Sequence, residues 1–332
     1  MKKLYNSLNL IEISRGNLLF NFDYFSKKRK VWPVLKSNAY GHGIGLVTKI
    51  LLDRDFEYFV VDGYQEVLEI RKVTKRPVLM IGSILPSNFS KIKWKNLAIM
   101  VQDKESIRAL GKLNKHIKIH LKVNTGMNRQ GIEMKDLRSM IYEIRKYKNL
   151  ELEGVISHLA GADDEKQIKK FKEVKKITGE VKYFHLGATN GVGDIIRLGI
   201  GLYGIGKGLK PVLKLKSKIV KVRQIEKGEK VSYGGTFVAT KKTNIGVIPI
   251  GYFEGLDRRL SNKKGIVKYK NKFYPIAGRV CMNMAVVNFG KVKPKLYDEV
   301  ELVGVEKMAK IGETIPYDIL VGINSSIRRT VV

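Results

Sequence analysis

The chain has 332 residues, of which 44% are hydrophobic and only 8 are proline, a composition that excludes a disordered polymer. The length suits one barrel of roughly 250 residues or fewer and a smaller second domain. The formal net charge is +32, but basic residues recur along the whole sequence. We therefore interpret them as solvated helix surfaces and expect neither nucleic acid nor a membrane as a partner.

Cysteine usage and the N-terminal sequence bear on the compartment. Cys281 is the only cysteine, which excludes a disulfide within the chain and is typical of a reducing compartment. The start Met1–Lys3 could open a signal peptide, but polar residues such as Asn6 and Glu12 interrupt the apolar segment that should follow. No run approaches the roughly 20 apolar residues of a membrane span. We expect a cytoplasmic protein.

Between residues 9 and 206, short apolar runs alternate with amphipathic stretches. The predicted strands are Val31–Leu35, Tyr58–Val61, Pro77–Ile81, Leu97–Val101, Ile117–Val123, Leu152–Ile156, Tyr183–Leu186 and about Leu198–Tyr203. The predicted helices, which repeat apolar residues at three- and four-residue spacing, are Gly45–Leu52, Tyr64–Val73, Lys104–Leu113, Met134–Tyr147 and Glu165–Lys176. This alternation predicts an α/β fold, a parallel (β/α)8 barrel of TIM type, over residues 9–208.

From about Leu209 the long amphipathic stretches stop and short β-rich runs separated by turns take over. The predicted strands are Lys216–Val222, Val231–Tyr233, Thr236–Ala239, Asn244–Pro249, Gly265–Tyr269, Lys272–Pro275, Met284–Val287 and Glu299–Leu302. Residues 209–332, together with residues 1–8, are therefore predicted to form a second, mainly-β domain.

Polar residues directly follow four of the predicted barrel strands: Lys36, Asn124–Thr125, His158 and Thr189–Asn190. Barrel enzymes place their chemistry at the C-terminal ends of the strands, so we expect these side chains at the active site. Lys36 is unusual because burying an ammonium group is costly unless it is paired or neutralised. A desolvated amine of lowered pKa suits covalent attachment of a carbonyl compound. The alternative is a lysine that reaches solvent at the barrel rim.

The segment Val34–Gly43 resembles the lysine signature of the alanine racemases, enzymes that use pyridoxal 5'-phosphate (PLP). Further segments resemble the same family in the same order: Lys122–Gly131, Ser157–Ala160 with Asp163, Arg197–Gly204, Val231–Gly235, Gly251–Tyr252 with Arg258, Gly278–Met282 and Ile315–Leu320. One such segment is weak evidence, whereas a collinear series across both predicted domains is strong. The resemblance implies a PLP-dependent racemase that interconverts L- and D-alanine and supplies D-alanine for peptidoglycan.

The resemblance also implies the catalytic residues. Racemisation removes a proton from one face of a planar carbanion and returns it to the other, so two opposed bases are expected. Lys36, which would also bind the cofactor covalently, would serve the D-enantiomer, and Tyr233 the L-enantiomer. Arg197 would face the pyridine nitrogen. An arginine does not readily give up its proton, so the ring nitrogen would stay unprotonated, which favours proton movement over transamination.

Further contacts follow from the same resemblance. Arg129 would contact the cofactor's ring oxygen and the substrate carboxylate, which the backbone amide of Met282 would also bind. His158 would lie beside the cofactor and hydrogen-bond the catalytic tyrosine. The phosphate would be held by Tyr40, Thr189, Tyr317 and the backbone amides near Gly199 and Ile200. No metal is expected. The resemblance implies a homodimer in which each site receives Tyr233 of the partner subunit.

Several positions depart from the family pattern. Asn124 and Asn283 stand where Asp is usual, Glu254 replaces the Asp of a Gly-Tyr-x-Asp-Gly motif, and Ala188 stands where Asn is usual. These changes bear on the substrate pocket and its entry corridor more than on the chemistry. Lys122 matches a lysine that is carbamylated in some members. The chain is also somewhat short for the family, which indicates trimmed loops.

Other functions fit parts of the pattern. A broader racemase acting on serine or other small amino acids is kept open by Asn283 and Ala188. A basic amino-acid decarboxylase uses a carboxylate at the ring nitrogen, and Arg197 argues against it. A PLP-binding protein without turnover would lack the β domain and hence the segment around Tyr233. Only the net charge suggests a nucleic-acid binder.

Overall fold

The structure, a computed structural model, describes residues 5–161, 164–189, 193–263 and 265–332. The contacts divide the chain into two compact units. The barrel unit comprises residues 19–39 and 44–202, and the β unit comprises the residues up to 18, residues 40–43 and residues 203–332. Among the described residues, none of the helices combines the length and the apolar character that crossing a membrane requires.

The barrel unit contains eight parallel strands. They are Lys30–Pro33, Phe59–Val61, Val78–Met80, Leu97–Val101, Ile117–Lys122, Leu150–Ile156, Tyr183–His185 and Ile195–Leu198. Parallel pairing runs through the six strands from Phe59 to His185, and the last strand pairs with the first. Parallel bridges at Val34–Val60 and Gly187–Ile196 close the ring. The predicted parallel barrel is confirmed.

Helices connect the strands on the outside of the barrel. They are Arg15–Ser26, Ile44–Leu51, Tyr64–Arg71, Lys104–Gly111, Leu137–Arg145 and Asp164–Thr178. Short 3-10 turns stand at Pro86–Lys91 and Met134–Asp136. The helix Arg15–Ser26 was not predicted, because its apolar residues Leu18, Leu19, Phe20 and Phe22 are nearly contiguous and carry no clear helical period.

The last predicted barrel strand, Leu198–Tyr203, is wrong in position. The strand occupies Ile195–Leu198, and residues Ile200–Tyr203 form a 3-10 turn. Both segments are apolar and buried, so periodicity alone does not separate a buried strand from a buried turn. The register with the first strand, in which Trp32 pairs with Arg197, sets the true position.

The regular secondary structure of the β unit is mainly strand, as predicted. A six-stranded sheet has the order Lys272–Tyr274, Val267–Tyr269, Glu299–Leu302, Leu213–Lys218, Leu10–Ile13, Arg329–Val331. A three-stranded sheet contains Lys221–Ile225, Thr243–Ile248 and Ala285–Gly290, and a two-stranded one contains Lys230–Val231 and Phe237–Val238. Two helices, Val305–Ile311 and Pro316–Gly322, lie between the strands Glu299–Leu302 and Arg329–Val331.

Two strand predictions in this unit need correction. The predicted strand Lys216–Val222 is split, because the chain leaves one sheet at Lys218 and enters another at Lys221. The predicted strand Val231–Tyr233 ends at Val231 and is followed by a 3-10 turn, Tyr233–Gly235. Ser232 has φ 66° and Gly234 has φ 71°, and a strand cannot contain such left-handed backbone.

Candidate active site

Lys36 lies at the C-terminal end of the first barrel strand. The two residues before it are fixed by the barrel, since Val34 N–H donates to Leu198 O at 2.9 Å and Leu35 N–H donates to Val60 O at 2.8 Å. The lysine itself is half-buried. Lys36 therefore follows a buried strand at the C-terminal face of the barrel, where the sequence predicts it.

The backbone after Lys36 forms a left-handed turn. Ser37, Asn38 and Ala39 all have φ 54°, and left-handed backbone costs roughly 1–2 kcal/mol per non-glycine residue. The turn is held by Glu66, whose Oε1 accepts from Ser37 N–H at 2.5 Å, and by Asn38 Oδ1, which accepts from Ile44 N–H at 2.9 Å. The strain is therefore stored directly beside the lysine, a position where strain usually serves a function.

Arg197 is buried in the barrel with 4% exposure. One terminal nitrogen, Nη1, donates to His185 Nδ1 at 2.7 Å and to His185 O at 2.8 Å. The other donates to Ser157 O at 2.7 Å, to Leu186 O at 3.2 Å and toward His158 Nδ1 at 3.4 Å. Among the described residues, none of the ion pairs involves Arg197, so a structural salt bridge does not explain it. Burial lowers its pKa to about 9, which leaves a cation near pH 7.

Lys122, Arg129 and His158 line one small cavity of the barrel unit, together with Asn124 and Ser157. Burial, reinforced by the positive charges of Arg197 and Lys122, lowers the pKa of His158 to about 3. His158 is therefore neutral at physiological pH and can both donate and accept a hydrogen bond. Lys36 contributes to the same lowering, so it lies within electrostatic range of His158.

Lys122 is a buried amine whose pKa is lowered to about 7 by burial and by the charges of Arg197 and Arg129. A lysine in the unfolded chain has a pKa of about 10.4, so the unfolded state binds more protons between these two values. The free energy of unfolding therefore rises with pH between about 7 and 10.4 because of this group. Below pH 7 the folded protein bears the full cost of burying the charged ammonium of Lys122. A bare Lys122 amine destabilises the fold in acid.

Lys122→Met is accordingly expected to stabilise the protein at pH 6, by about 2 to 4 kcal/mol, and the gain should shrink as the pH approaches 9. Thermal unfolding of both proteins at the two pH values measures the difference. Lys172→Met, which removes the same charge from an exposed helix position, is the matched control. Equal destabilisation by Lys122→Met at both pH values would contradict the account.

Thr189 and Gly201 lie in contact after the last two barrel strands. The Gly201 N–H donates to Thr189 Oγ1 at 3.3 Å, and a Cβ on Gly201 would lie 2.5 Å from Thr189 Cγ2. Only glycine fits this approach. The adjacent amides of Gly199 and Ile200 begin the 3-10 turn. Two other residues singled out from the sequence, Asn190 and Asp163, lie outside the described residues.

Tyr40 and Tyr317 belong to the β unit. Their ring centroids are 5.9 Å apart, and Tyr40 also packs on Tyr203 at 5.0 Å. Burial raises the pKa of Tyr317, so its hydroxyl keeps its proton and can donate. Gly41 is pinned beside them: its carbonyl accepts from Arg329 Nε at 2.9 Å, and its φ of 79° suits glycine. The structure thus brings the two predicted phosphate tyrosines together.

Tyr233 and Met282 are also in the β unit and are 71% and 56% exposed. The loops that carry them are joined, since Ser232 Oγ donates to Arg279 O at 2.7 Å. The loop of Phe253 is joined to the loop of Met282, since Phe253 N–H donates to Met282 O at 2.9 Å. Exposed apolar side chains gather on these loops: Tyr233, Tyr252, Phe253, Met282 and Met284. We call this set the tyrosine patch.

Three of the four departures from the family pattern, Asn124, Asn283 and Glu254, have hydrogen-bond partners. Asn124 Nδ2 donates to Glu133 Oε1 at 2.9 Å while its Oδ1 accepts from the N–H groups of Gly126 and Asn128, both at 3.1 Å. An aspartate could not make the donation to Glu133. The asparagine therefore suits the loop that carries Arg129.

Asn283 and Glu254 depart together and bond to each other. Asn283 Nδ2 donates to Glu254 Oε1 at 2.9 Å, and Glu254 Oε2 accepts from Gly251 N–H at 2.8 Å. Two carboxylates at these positions would repel, whereas the amide and the carboxylate pair. Glu254 thereby links the loop of Gly251 to the loop of Asn283, next to Met282 of the tyrosine patch.

Two family models match the chain: Alanine racemase, N-terminal domain, over residues 13–207, and Alanine racemase, C-terminal domain, over residues 212–331. Among curated relatives, the alanine racemase of Carboxydothermus hydrogenoformans is 35% identical, with 97% of this chain and 98% of the relative covered. The alanine racemase of Francisella philomiragia is 33% identical, with 98% and 100% covered.

Solved structures give the same picture. The alanine racemase of Clostridium difficile superposes with a TM-score of 0.92 at 27% identity, covering 99% of this chain and 97% of that one. The alanine racemase of Bartonella henselae, described with covalently bound pyridoxal phosphate, gives 0.91 at 25% identity, with 98% and 100% covered.

Proposed function

The chain belongs to the alanine racemase family, a PLP-dependent group of isomerases that interconvert L- and D-alanine, and we propose that Lys36 and Tyr233 are its two bases. The observation that carries the proposal is the geometry around Arg197, a buried cation held at the barrel end that also carries Lys36. When bound, PLP withdraws electrons from the substrate Cα, so that its proton becomes removable.

The donor set of this chain fits that cofactor. Lys36 supplies the amine at the C-terminal face of the barrel, and Arg197, a donor that cannot accept, suits an unprotonated pyridine nitrogen. The Gly201 amide bonds the Thr189 hydroxyl, so a hydroxyl and neighbouring backbone amides, groups that bind phosphate, lie together after the last two barrel strands. We assign the phosphate to Tyr40, Thr189, Tyr317, Gly199 and Ile200.

The substrate carboxylate requires a cation and an amide. We assign it to Arg129, which lines a cavity with His158, and to the Met282 backbone amide. The amine of Lys36 would hold and return the Cα proton on the D face. Tyr233 would do so on the L face, where a phenol of pKa about 10 in free tyrosine needs neighbouring positive charge to act as a base. Arg129 and Arg197 supply that charge, and neutral His158 supplies a hydrogen-bond partner.

The exposure of Tyr233 supports a homodimer. A catalytic tyrosine that is 71% exposed leaves most of its surface for a second chain, and the surrounding tyrosine patch is apolar. Exposed apolar patches of this kind mark protein–protein contacts. We propose an isologous two-fold dimer, in which each Lys36 works with Tyr233 of the partner subunit.

Mixing two inactive variants tests this sharing. Lys36→Ala and Tyr233→Phe subunits, dissociated and reassembled together, should regain roughly a quarter of wild-type activity, because half of the dimers are mixed and each of these has one intact site. Each variant reassembled with itself is the control. If the mixture stays as inactive as its components, both bases come from one chain and the proposal of a shared site is wrong.

We propose that alanine is preferred to serine and other small amino acids. Asn283 next to Met282 is held by its hydrogen bond to Glu254, which supports alanine as the main substrate. A racemisation assay over L-amino acids, read by chiral chromatography, would show comparable serine turnover if the site is broader. We also propose a cytoplasmic location, supported by the single cysteine, and a role in supplying D-alanine for peptidoglycan. The division between the two domains is proposed at residues 208–209, which lie between the two family models, whereas the contacts place residues 203–208 and the residues up to 18 in the β unit.

A further inference from the structure

A row of hydrogen-bonded polar groups runs through the interior of the barrel unit. Glu153 Oε2 lies 3.3 Å from His120 Nε2, His120 Nδ1 lies 2.7 Å from His185 Nε2, and His185 Nδ1 lies 2.7 Å from Arg197 Nη1. Both imidazoles and the carboxylate have no more than 1% exposure. Glu153, His120 and His185 lie in the interior of the barrel, and none of these three residues has a role in the function proposed above.

The two ends of the row fix the direction of its hydrogen bonds. A guanidinium only donates and an ionised carboxylate only accepts. Burial lowers the pKa of His120 and of His185, so both rings are neutral and each has one N–H. The only arrangement that satisfies every link places the proton on Nε2 of both histidines. Arg197 then donates to His185, His185 to His120, and His120 to Glu153.

Glu153 is held as an anion by three donors. Lys118 Nζ donates to Oε1 at 2.5 Å, and Tyr58 OH donates to Oε2 at 2.5 Å, beside the contact from His120. Burial alone would raise the pKa of this carboxyl, but the bonds from His120, Lys118 and Tyr58 outweigh it and lower the pKa to about 2. The negative end of the row is therefore permanent at physiological pH.

We propose that Glu153 is a positioning residue for racemisation. Through His120 it keeps the proton of His185 on Nε2, so that the lone pair of His185 Nδ1 accepts from Arg197 and orients it. Glu153 also serves as the distant counter-charge of the Arg197 cation. The proposal rests on the role assigned to Arg197 above. A carboxylate in direct contact would neutralise the guanidinium and compete for its donors. A carboxylate two imidazoles away stabilises the buried cation and leaves the Nε–H of Arg197 available to a ligand, since none of the hydrogen bonds found among the described residues uses it.

The tautomers can be observed without turnover. Long-range 1H–15N spectra of the holoenzyme labelled with 15N-histidine, assigned by substituting each of the 5 histidines in turn, should show His120 and His185 as Nε2–H tautomers. An Nδ1–H tautomer at His185 overturns the proposal directly. This measurement needs no Glu153 variant to fold, and it does not depend on which reaction the enzyme catalyses.

Glu153→Gln tests the charge. We expect the 15N signals of His185, two links away, to shift, and kcat to fall about ten- to a hundredfold with little change in KM, on the scale of one charge-assisted hydrogen bond. Tyr58→Phe keeps the carboxylate and removes one donor, and should change kcat less than about threefold. Glu143→Gln, which removes a carboxylate held by Arg108 and Lys146 on an outer helix, controls for lost stability.

The outcomes separate the two levels of the argument. Racemisation that persists unchanged in Glu153→Gln, with unshifted His185 signals, overturns the positioning role and leaves the proposed function standing. If His120 and His185 are Nε2–H tautomers whose signals respond to Glu153→Gln, but the wild-type protein has no racemase activity, the hydrogen-bonded row is supported and the proposed function is wrong.

Discussion

Lys36→Ala is expected to abolish racemisation, with kcat lowered by at least about a thousandfold. The amine has two proposed tasks, covalent attachment of the cofactor and proton transfer on the D face, and alanine can do neither. The measurement is turnover of L- and D-alanine by chiral chromatography at saturating PLP.

Reduction with borohydride gives this prediction a second readout. Wild-type protein should carry the reduced cofactor on the peptide containing Lys36, as shown by mass spectrometry, and Lys36→Ala should carry none. Lys49→Ala, at an exposed position of the helix Ile44–Leu51, is the control and should retain both activity and label. Label on any other lysine of the wild type would contradict the assignment.

The barrel could be predicted from sequence because buried parallel strands have short apolar sequences that alternate with amphipathic helices. Seven of the eight strands overlap the predicted apolar runs. The eighth did not, since Ile195–Leu198 and Ile200–Tyr203 are equally apolar and buried. Tyr233 was expected in a strand, but Ser232 and Gly234 adopt positive φ and turn it outward. Such turns are decided by tertiary contacts that a single sequence does not display.

The candidate site was predictable where a residue follows a strand, as at Lys36 and His158. What could not be predicted is the interior row beneath it. His120 lies in the middle of one largely buried strand and Glu153 in another, and burying either polar group without a partner would destabilise the fold. Their partners lie far apart in sequence, since His120 and Glu153 are separated by 33 positions and His120 and His185 by 65. Only closure of the barrel reveals the pairing.

Tyr233→Phe is expected to lower kcat for racemisation by about a hundred- to ten-thousandfold, the usual worth of a general acid or base, with little loss of cofactor binding. Phenylalanine keeps the ring that fills the tyrosine patch and removes only the hydroxyl. Tyr297→Phe, at another exposed tyrosine of the β unit, is the matched control and should leave kcat unchanged.

Turnover alone cannot say which face Tyr233 serves. The two enantiomers are equally stable in an achiral solvent, so the ratio of kcat/KM in the two directions is fixed and losing either base slows both. Exchange of the Cα proton in D2O separates the faces. With Tyr233→Phe, Lys36 can still remove and return the proton of D-alanine, so D-alanine should gain deuterium without inverting, while L-alanine should not exchange. Deuterium entering L-alanine instead would place Tyr233 on the D face and reverse the assignment of the two bases.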